Sequence, residues 1–324
     1  MKDFAGRIAV VTGGGSGMGR ELVRQLVAEG CSVALCDVHQ GAMDETRALC
    51  AADRIPQGVR ITTHRVDVSD EDQVLRFRAE VAEQLQTDKI HLLFNNAGIG
   101  GGGSLFTDSR AAWEKTFGVC WYGVYYMTLA FLPLLVAADA GHIVNTSSVN
   151  GFWASLGPMT PHTAYSAAKF AVKGFTEALI TDLRINAPHV KASVVCPGHI
   201  GTNIAINSRL VLAGSETAEM SAEELAASRA RMKALGIDVS QVSDEQIRAQ
   251  VTAMGEAFRD NAPMGSAEAA SVILDGVKAD RWRILVGDDA QRLDAAVRAE
   301  PERAYEPDFF TLFLNVPTLS PQAN

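Results

Sequence analysis

A tyrosine and a lysine four residues apart are the strongest chemical signal in the sequence. If Tyr165 and Lys169 lie in a helix, this spacing places the phenol and the ammonium group on the same face. A free phenol has a pKa of about 10, and a nearby cation favours its deprotonated form. The pair is therefore a candidate general acid and base for an alcohol or carbonyl oxygen, although the same spacing is common on ordinary helix surfaces.

A hydroxyl group ahead of this helix favours the catalytic interpretation. Ser148 directly follows an apolar segment, residues 142–147, that is typical of a buried strand. In open α/β folds, ligands bind beyond the carboxyl ends of the strands. We therefore expect the Ser148 hydroxyl to hold a substrate oxygen against the Tyr165 phenol.

A glycine-rich segment follows the first predicted strand and leads directly into a helix. Residues 12–19 read Thr-Gly-Gly-Gly-Ser-Gly-Met-Gly, and such glycines let a pyrophosphate approach the backbone N–H groups at a helix N-terminus. The spacing is Gly-x-x-x-Gly-x-Gly and so differs from the usual dinucleotide fingerprint. Taken alone, the cluster can also be an ordinary turn.

An acidic residue at the end of the second predicted strand supports dinucleotide binding. Asp37 can accept hydrogen bonds from the adenosine ribose, and its charge repels a 2′-phosphate. Neither the glycine-rich segment nor Val38 and His39 carries a Lys or Arg. The sequence therefore predicts NAD as the cofactor in preference to NADP.

Turn-forming residues after the other predicted strands complete the predicted cofactor site. Thr202, in a loop after the sixth strand, offers a hydroxyl to the nicotinamide carboxamide. The predicted cofactor-binding residues are Gly13, Ser16, Gly17, Met18, Gly19, Asp37, Asp67, Val68, Asn95, Ala97, Gly98, Tyr165, Lys169, Pro197, Gly198, Ile200 and Thr202.

Alternating strand-like and helical segments predict an α/β fold with a doubly wound parallel sheet. The predicted strands are 8–12, 32–37, 60–67, 91–95, 142–147, 191–196 and 283–286, and the clearest helices are 19–29, 70–85, 110–135 and 163–185. Within a single domain, residues 1–324, the segment 203–262 is predicted to be a helical lid inserted between the sixth and seventh strands. We expect the irregular tail, 298–324, to pack against this lid or a neighbouring subunit.

Composition excludes several other classes of protein. The chain has 324 residues, of which 47% are hydrophobic, and this excludes disordered and low-complexity classes. A formal net charge of −9 disfavours nucleic acid as a partner. The five scattered cysteines form no C-x-x-C pair, so we expect no metal site, no disulfide framework and a cytoplasmic location. Residues 116–138 carry no charge, yet their place between two predicted strands favours a packed crossover helix over a membrane span.

Taken together, these motifs resemble those of the short-chain dehydrogenase/reductase superfamily. The resemblance covers about residues 4–203 and resumes near 265–287. It implies a Rossmann-type domain with about seven strands, in which Tyr165 is the catalytic acid and base, Lys169 lowers its pKa and binds the ribose, and Ser148 orients the substrate oxygen. It also implies a homodimer or homotetramer formed through the helices near 110–136 and 163–186.

The sequence departs from the family pattern at Cys120. Family members usually carry Asn at this position, where it helps to hold a water molecule of the proton relay beside the lysine. A thiol is a weak hydrogen-bonding group, so the side-chain part of this role is in question. The backbone carbonyl of Cys120 can still bind the water, and the thiol can equally be a packing residue.

The segment between Ser148 and Tyr165 is longer than usual for the family and strongly apolar. Because binding pockets are mostly apolar with a few polar anchors, we predict that Phe152, Trp153, Met159 and the long lid enclose a bulky, hydrophobic or aromatic secondary alcohol or ketone. The alternative is that these aromatic side chains pack against the lid or an adjacent subunit.

The sequence as a whole predicts an NAD-dependent oxidoreductase that transfers a hydride between nicotinamide and a secondary alcohol or ketone. One alternative is a catalytically weak nucleotide-binding sensor or scaffold on the same fold, for which Cys120 is the only support. Another is an acyl-carrier ketoreductase, which Asp37 and the acidic net charge disfavour.

Overall fold

A seven-stranded parallel sheet forms the centre of the protein. The computed structural model describes residues 1–156, 160–214, 219–234 and 236–309. Its large sheet comprises β1 (Ile8–Thr12), β2 (Ser32–Asp37), β3 (Ile61–Arg65), β4 (Leu92–Asn95), β5 (Gly141–Thr146), β6 (Val190–Pro197) and β9 (Arg283–Val286). The strand order is β3-β2-β1-β4-β5-β6-β9, and every neighbouring pair is parallel. The order changes direction between β1 and β4, and a crevice forms at such a switch point.

Helices cover both faces of this sheet, as predicted. They are α1 (Gly17–Ala28), α2 (Gln40–Ala52), α3 (Glu71–Gln84), α4 (Arg110–Phe117), α5 (Gly123–Val136), α6 (Thr163–Asn186), α7 (Ile204–Ala213), α8 (Ala222–Ala234), α9 (Asp244–Asp260), α10 (Ser266–Lys278) and α11 (Asp288–Ala299). Side chains of α1, α2 and α10 build the core on one face, and those of α3, α5 and α6 build it on the other. The sequence analysis misses α2, because only Met43, Thr46 and Cys50 of that helix are buried.

The predicted helix 110–135 is interrupted by a π-helical turn, Gly118–Tyr122, which contains Cys120. Such a turn inserts one residue into the helical ladder and is frequent at functional sites. By length and composition alone, the combined stretch Arg110–Val136 is long and apolar enough to cross a membrane. Half of its most apolar part is buried inside the protein. Met127 and Phe131 are among the residues that pack into the core on that face.

The region between β6 and β9 is helical. It contains α7, α8 and α9, together with two short strands, β7 (Ile200–Gly201) and β8 (Met264–Gly265), that pair with each other. Met220, Leu225 and Ile247 form a separate small hydrophobic cluster in this region, so the outer helices carry a core of their own.

A buried histidine joins the two central strands β5 and β6. His142 is 1% exposed, and its Nε2 lies 2.7 Å from Ser193 Oγ. Because the Ser193 hydroxyl donates to the carbonyl of Arg281, it must accept from His142, which fixes the proton on Nε2. The buried Nδ1 has no partner among the described residues, and burial lowers the pKa of His142 from 6.5 to about 4.

We predict that the protein loses stability as the pH falls from about 6.5 to 4. The unfolded chain binds a proton at His142 in this range and the folded chain does not, so the free energy of unfolding decreases, by roughly 3 kcal/mol for this group. His142→Gln keeps a hydrogen-bond donor near Ser193. Chemical denaturation of this variant at several pH values should show a smaller decrease in the free energy of unfolding as the pH falls. His189→Gln, at a partly exposed histidine, is the control and should retain the wild-type slope.

Candidate active site

The glycine-rich segment forms a cradle at the N-terminus of α1. Gly13 and Gly17 have positive φ angles of 66° and 53°, which residues with a side chain adopt only with strain. The N-cap residue Ser16 makes no side-chain capping bond to the helix. The first N–H groups of α1 therefore remain available for an anion, as phosphate binding at a helix N-terminus requires.

The hydroxyl of Thr12 joins the carboxyl ends of β1 and β4 beside this cradle. Thr12 Oγ1 accepts hydrogen bonds from the backbone N–H groups of Asn96, at 3.0 Å, and Ala97, at 2.9 Å. This threonine therefore fixes the floor of the crevice at the switch point of the sheet.

Asp37 lies at the adenosine end of the same crevice. Its Oδ2 accepts from Gly15 N at 3.0 Å, and its Oδ1 accepts from His39 N at 3.2 Å. A Cβ atom on Gly15 would lie 2.8 Å from Asp37 Oδ2, so the backbone and the carboxylate meet only because this residue is glycine. The nearby cation Arg20 is paired with Glu45 at 2.6 Å and also donates to the Gly15 carbonyl.

Ten of the predicted cofactor-binding residues line one cleft along these elements. They are Gly13, Ser16, Gly17, Met18, Asp37, Asp67, Val68, Ala97, Gly98 and Thr202. A strongly polar pair also borders this cleft, since the Asp67 carboxylate is in contact with the Lys115 ammonium group. Burial acts to raise the pKa of Asp67, but hydrogen bonds from Lys115 and Ser69 outweigh it, and the pKa lies below its usual value.

The other seven predicted residues lie outside the lining of this cleft, and four of them, Gly19, Pro197, Gly198 and Ile200, have structural contacts nearby. A Cβ atom on Gly19 would lie 2.0 Å from the Gly13 carbonyl oxygen, so Gly19 permits the tight turn of the loop. Pro197 is buried in the sheet, and the Ile200 side chain belongs to the hydrophobic core. Gly198 packs directly against the carboxylate of Asp289.

Asn95, which the sequence analysis assigns to the cofactor site, is turned away from it. Its amide donates to Asn145 at 2.8 Å and to Thr128 at 3.1 Å, and the residue is 2% exposed. Because successive side chains of a strand point to opposite faces, Asn95 joins the sheet to α5. Its neighbour Asn96 lines the cleft instead.

Helix α7 closes one side of the cleft, a contribution that the sequence analysis assigns only to a general lid. Ile204, Asn207 and Val211 line the cleft, and Asn207 Nδ2 donates to Ser16 Oγ at 3.1 Å. The available sequence signal was the position of these residues directly after Thr202.

The predicted catalytic side chains come together at the carboxyl end of β5. Ser148 is 7% exposed and lies close enough to Tyr165 to act on the pKa of its phenol. Burial raises the pKa of Tyr165 well above its usual value, while the Ser148 hydroxyl acts in the opposite direction. The ring of His162, which the sequence analysis did not single out, lies 4.6 Å from the Tyr165 ring, and burial lowers the pKa of His162 to about 4.

Lys169 lies on the same side of α6 as Tyr165. Its Nζ is 5.4 Å from the centre of the Tyr165 ring and donates to the carbonyl of Thr146 at 2.8 Å. The side chain is 2% exposed, and burial lowers the pKa of Lys169. The expected lowering of the phenol pKa by this cation stays a prediction, and the largest influence on the pKa of Tyr165 in the structure is burial, which raises it.

Comparisons with known proteins agree on the family. The family model for short chain dehydrogenases matches residues 7–213. A protein of Mycobacterium tuberculosis that is described as an oxidoreductase, SadH, is 33% identical over 299 residues, which cover 92% of each chain. Meso-2,3-butanediol dehydrogenase of Serratia marcescens is 36% identical over 62% of this chain and 74% of its own. This protein belongs to the short-chain dehydrogenase/reductase family.

Solved structures of family members share the fold. A short-chain dehydrogenase/reductase from Burkholderia phymatum, in complex with NAD, has a TM-score of 0.72 and 31% identity, and the match covers 95% of this chain and 98% of that chain. A metagenomic short-chain oxidoreductase in complex with NADP has a TM-score of 0.53 and 30% identity, and covers 64% of this chain and 91% of that chain. The family therefore binds nicotinamide cofactors, and the glycine cradle, the open α1 N-terminus and Asp37 of this member fit such a dinucleotide.

This member of the family carries Cys120 next to the catalytic side chains. Its Sγ donates to the carbonyl of Ile99 at 3.2 Å, and the residue is fully buried. A Cβ atom on Gly98 would lie 3.7 Å from Cys120 Sγ and 3.4 Å from Lys169 Nζ, so the thiol and the ammonium group face the same small space. All five cysteines are free and buried, and no metal-binding cluster of His, Cys, Asp or Glu occurs in the described part of the chain.

The proposed substrate-enclosing residues are placed differently from the sequence-based expectation. Trp153 is 4% exposed and packs in a cluster with Leu293, Ala304 and Phe309, and Phe152 packs against the same cluster. Trp153 therefore faces the C-terminal segment, Phe152 packs against the same cluster, and neither side chain lines the cofactor cleft. Met159 lies outside the described residues.

We predict that Gly15→Ala weakens cofactor binding at least tenfold, because the new methyl group displaces the Asp37 carboxylate. Titration of the protein with NADH, followed by nucleotide fluorescence, measures the change. Gly41→Ala in α2 is a matched control, since a Cβ atom there meets nothing within 4 Å. This control should bind NADH as the wild type does, and equal binding by Gly15→Ala would contradict the predicted close contact.

Proposed function

We propose that the protein is an NAD-dependent dehydrogenase that interconverts a secondary alcohol and a ketone. The observation that carries the proposal is the placement of Ser148 and the buried Lys169 around Tyr165. Lys169 Nζ lies 5.4 Å from the centre of the Tyr165 ring, and a Cβ atom on Gly98, which lines the cleft, would lie 3.4 Å from the same Nζ. A catalytically silent nucleotide-binding protein has no physical need for this arrangement.

The roles of the side chains follow from their positions. The Ser148 hydroxyl and the Tyr165 phenol together bind the substrate oxygen, which fixes the reacting carbon over the cleft. Tyr165 donates a proton to this oxygen in the reductive direction and removes it in the oxidative direction. Lys169 holds positive charge next to the phenol and stabilises its deprotonated form. A bound nicotinamide supplies the hydride chemistry.

The preference for NAD rests on charge. Asp37 presents its carboxylate where a 2′-phosphate of NADP would lie, and the neighbouring Arg20 is already paired with Glu45. Arg65 approaches this region, where its Nε donates to the carbonyl of Val38 at 3.2 Å. Asp37 lines the cleft and Arg65 is not among its lining residues, so we expect repulsion of the phosphate to prevail.

Apolar side chains occur among the residues that line the cofactor cleft. Phe152 and Trp153 face elsewhere, and Ile99, Val119 and, on α7, Val211 supply this apolar lining. This lining supports a hydrophobic alcohol or ketone, bulky or aromatic, as the preferred small-molecule substrate.

Exposed apolar side chains on α5 and α6 support a homodimer or homotetramer. Leu129 and Phe170 are 52% and 42% exposed, and Tyr125 and Phe175 are in ring contact between the two helices. Exposed apolar side chains on two packed helices are typical of an interaction site. We assign no membrane or nucleic-acid partner to the protein and place it in the cytoplasm, in keeping with its acidic charge and its reduced, buried cysteines.

We predict that Tyr165→Phe lowers kcat at least a thousandfold and leaves NADH binding within twofold of the wild type, since only the proton-transferring hydroxyl is removed. Absorbance of NADH, measured with NAD and a panel of secondary alcohols such as sterols, aryl carbinols and terpenols, follows the reaction. Tyr126→Phe on α5 removes a distant phenol and should retain activity. Wild-type rates in Tyr165→Phe would overturn the mechanism.

We also predict that Asp37→Ser changes the cofactor preference at least tenfold towards NADP, because it removes both the repulsive charge and a ribose acceptor. Binding of NADH and NADPH, compared by fluorescence titration, gives the ratio. Asp44→Ser on the exposed surface of α2 should leave the ratio unchanged and so controls for net charge. An unchanged ratio in Asp37→Ser would assign cofactor selection to other residues.

A further inference from the structure

A chain of hydrogen bonds connects Ser148 to the C-terminal segment 301–309. The Ser148 hydroxyl accepts from Asn150 N at 3.1 Å, and Asn150 Nδ2 donates to the carbonyl of Trp153 at 3.0 Å. The Trp153 indole N–H then donates to the carbonyl of Ala304 at 2.6 Å. Because these residues are buried, water does not compete for the polar groups. The position of each residue in this series of hydrogen bonds therefore depends on the position of the next.

Apolar contacts surround the last link of this chain. The Trp153 ring lies 6.0 Å from the Phe309 ring, and Leu293 on α11 belongs to the same cluster. The ring of Phe152 packs against this cluster, with the guanidinium carbon of Arg283 5.5 Å from the ring centre. Both bulky rings of the loop that follows Ser148 therefore pack in or against this cluster.

A second polar contact joins the loop to the same segment. The backbone N–H of Ala154 donates to the hydroxyl of Tyr305 at 3.0 Å. Trp153 and Ala154 thus contact the C-terminal segment through one ring, one indole N–H and one backbone N–H, while the Phe152 ring packs against the cluster that they share. All of these partners lie beyond residue 213, where the family model ends.

We propose that the segment 301–309 is a clamp that positions the loop after Ser148 and keeps the rings of Phe152 and Trp153 out of the substrate cleft. Trp153 and Tyr305 are positioning residues in this arrangement, since they act through the loop. The clamp thereby determines which bulky substrates fit. The specificity part of the proposal rests on the proposed dehydrogenase function, and the positioning part does not.

The test uses the full chain with the double substitution Trp153→Phe/Tyr305→Phe, which keeps an aromatic ring at each position and removes the indole N–H and the phenol hydroxyl. Hydrogen exchange of the amides of residues 150–154 should become at least tenfold faster, while exchange in α1 stays unchanged. Trp282→Phe/Tyr126→Phe removes the same two groups at distant sites and is the matched control. Unchanged loop exchange, or equal acceleration throughout the protein, would overturn the clamp.

Kinetics with NAD and two probe alcohols, 1-phenylethanol and cyclohexanol, separates specificity from simple loss of structure. In the double variant the KM for the bulkier 1-phenylethanol should change at least fivefold relative to that for cyclohexanol, with the KM for NAD within twofold. A change in kcat alone, as a smaller folded fraction would produce, contradicts the specificity role. Faster loop exchange in a protein whose wild type oxidises no alcohol would uphold the positioning clamp and overturn the proposed function.

Discussion

The hydrogen bond from Ser147 Oγ to the carbonyl of Lys169, at 2.7 Å, is the contact on which the active site depends. It attaches α6 to the carboxyl end of β5 and so brings Tyr165 and Lys169 next to Ser148. The approach is close enough that a Cβ atom on Gly151 would lie 2.1 Å from Ser147 Oγ and 2.7 Å from the Lys169 carbonyl oxygen. A side chain at position 151 would therefore force the helix away from the strand and separate the three catalytic groups.

Burial is the second organising factor, and it acts on both members of the catalytic pair in opposite senses. It raises the pKa of the Tyr165 phenol and lowers that of the Lys169 ammonium group, so each charged form is disfavoured without a partner. The protein keeps these groups close together, with Nζ bonded to the Thr146 carbonyl. Charge brought into this space by a ligand has a large effect there, because the surroundings are apolar and solvent screening is weak.

The two ends of the cleft are built by different parts of the chain. The adenosine end uses short local turns after β1 and β2, in which backbone N–H groups meet Asp37. The other side of the cleft uses an element far away in sequence, since α7 lines it. The loop after Ser148 lies outside this lining and is bonded to the C-terminal segment at Ala304.

The sequence by itself determined which motif follows which strand, including the glycine cradle and Asp37. It also placed Ser148, Tyr165 and Lys169 together, because these positions depend on local spacing and on the common edge where parallel strands end. The seven strands lie where alternation predicted them, within two residues at each end. Only the tertiary structure decided that Asn95 faces the core and that Trp153 packs against the C-terminal segment. Each of these choices depends on a partner distant in sequence, such as Asn145 or Ala304, and local pattern carries no information about which distant surface a side chain will meet.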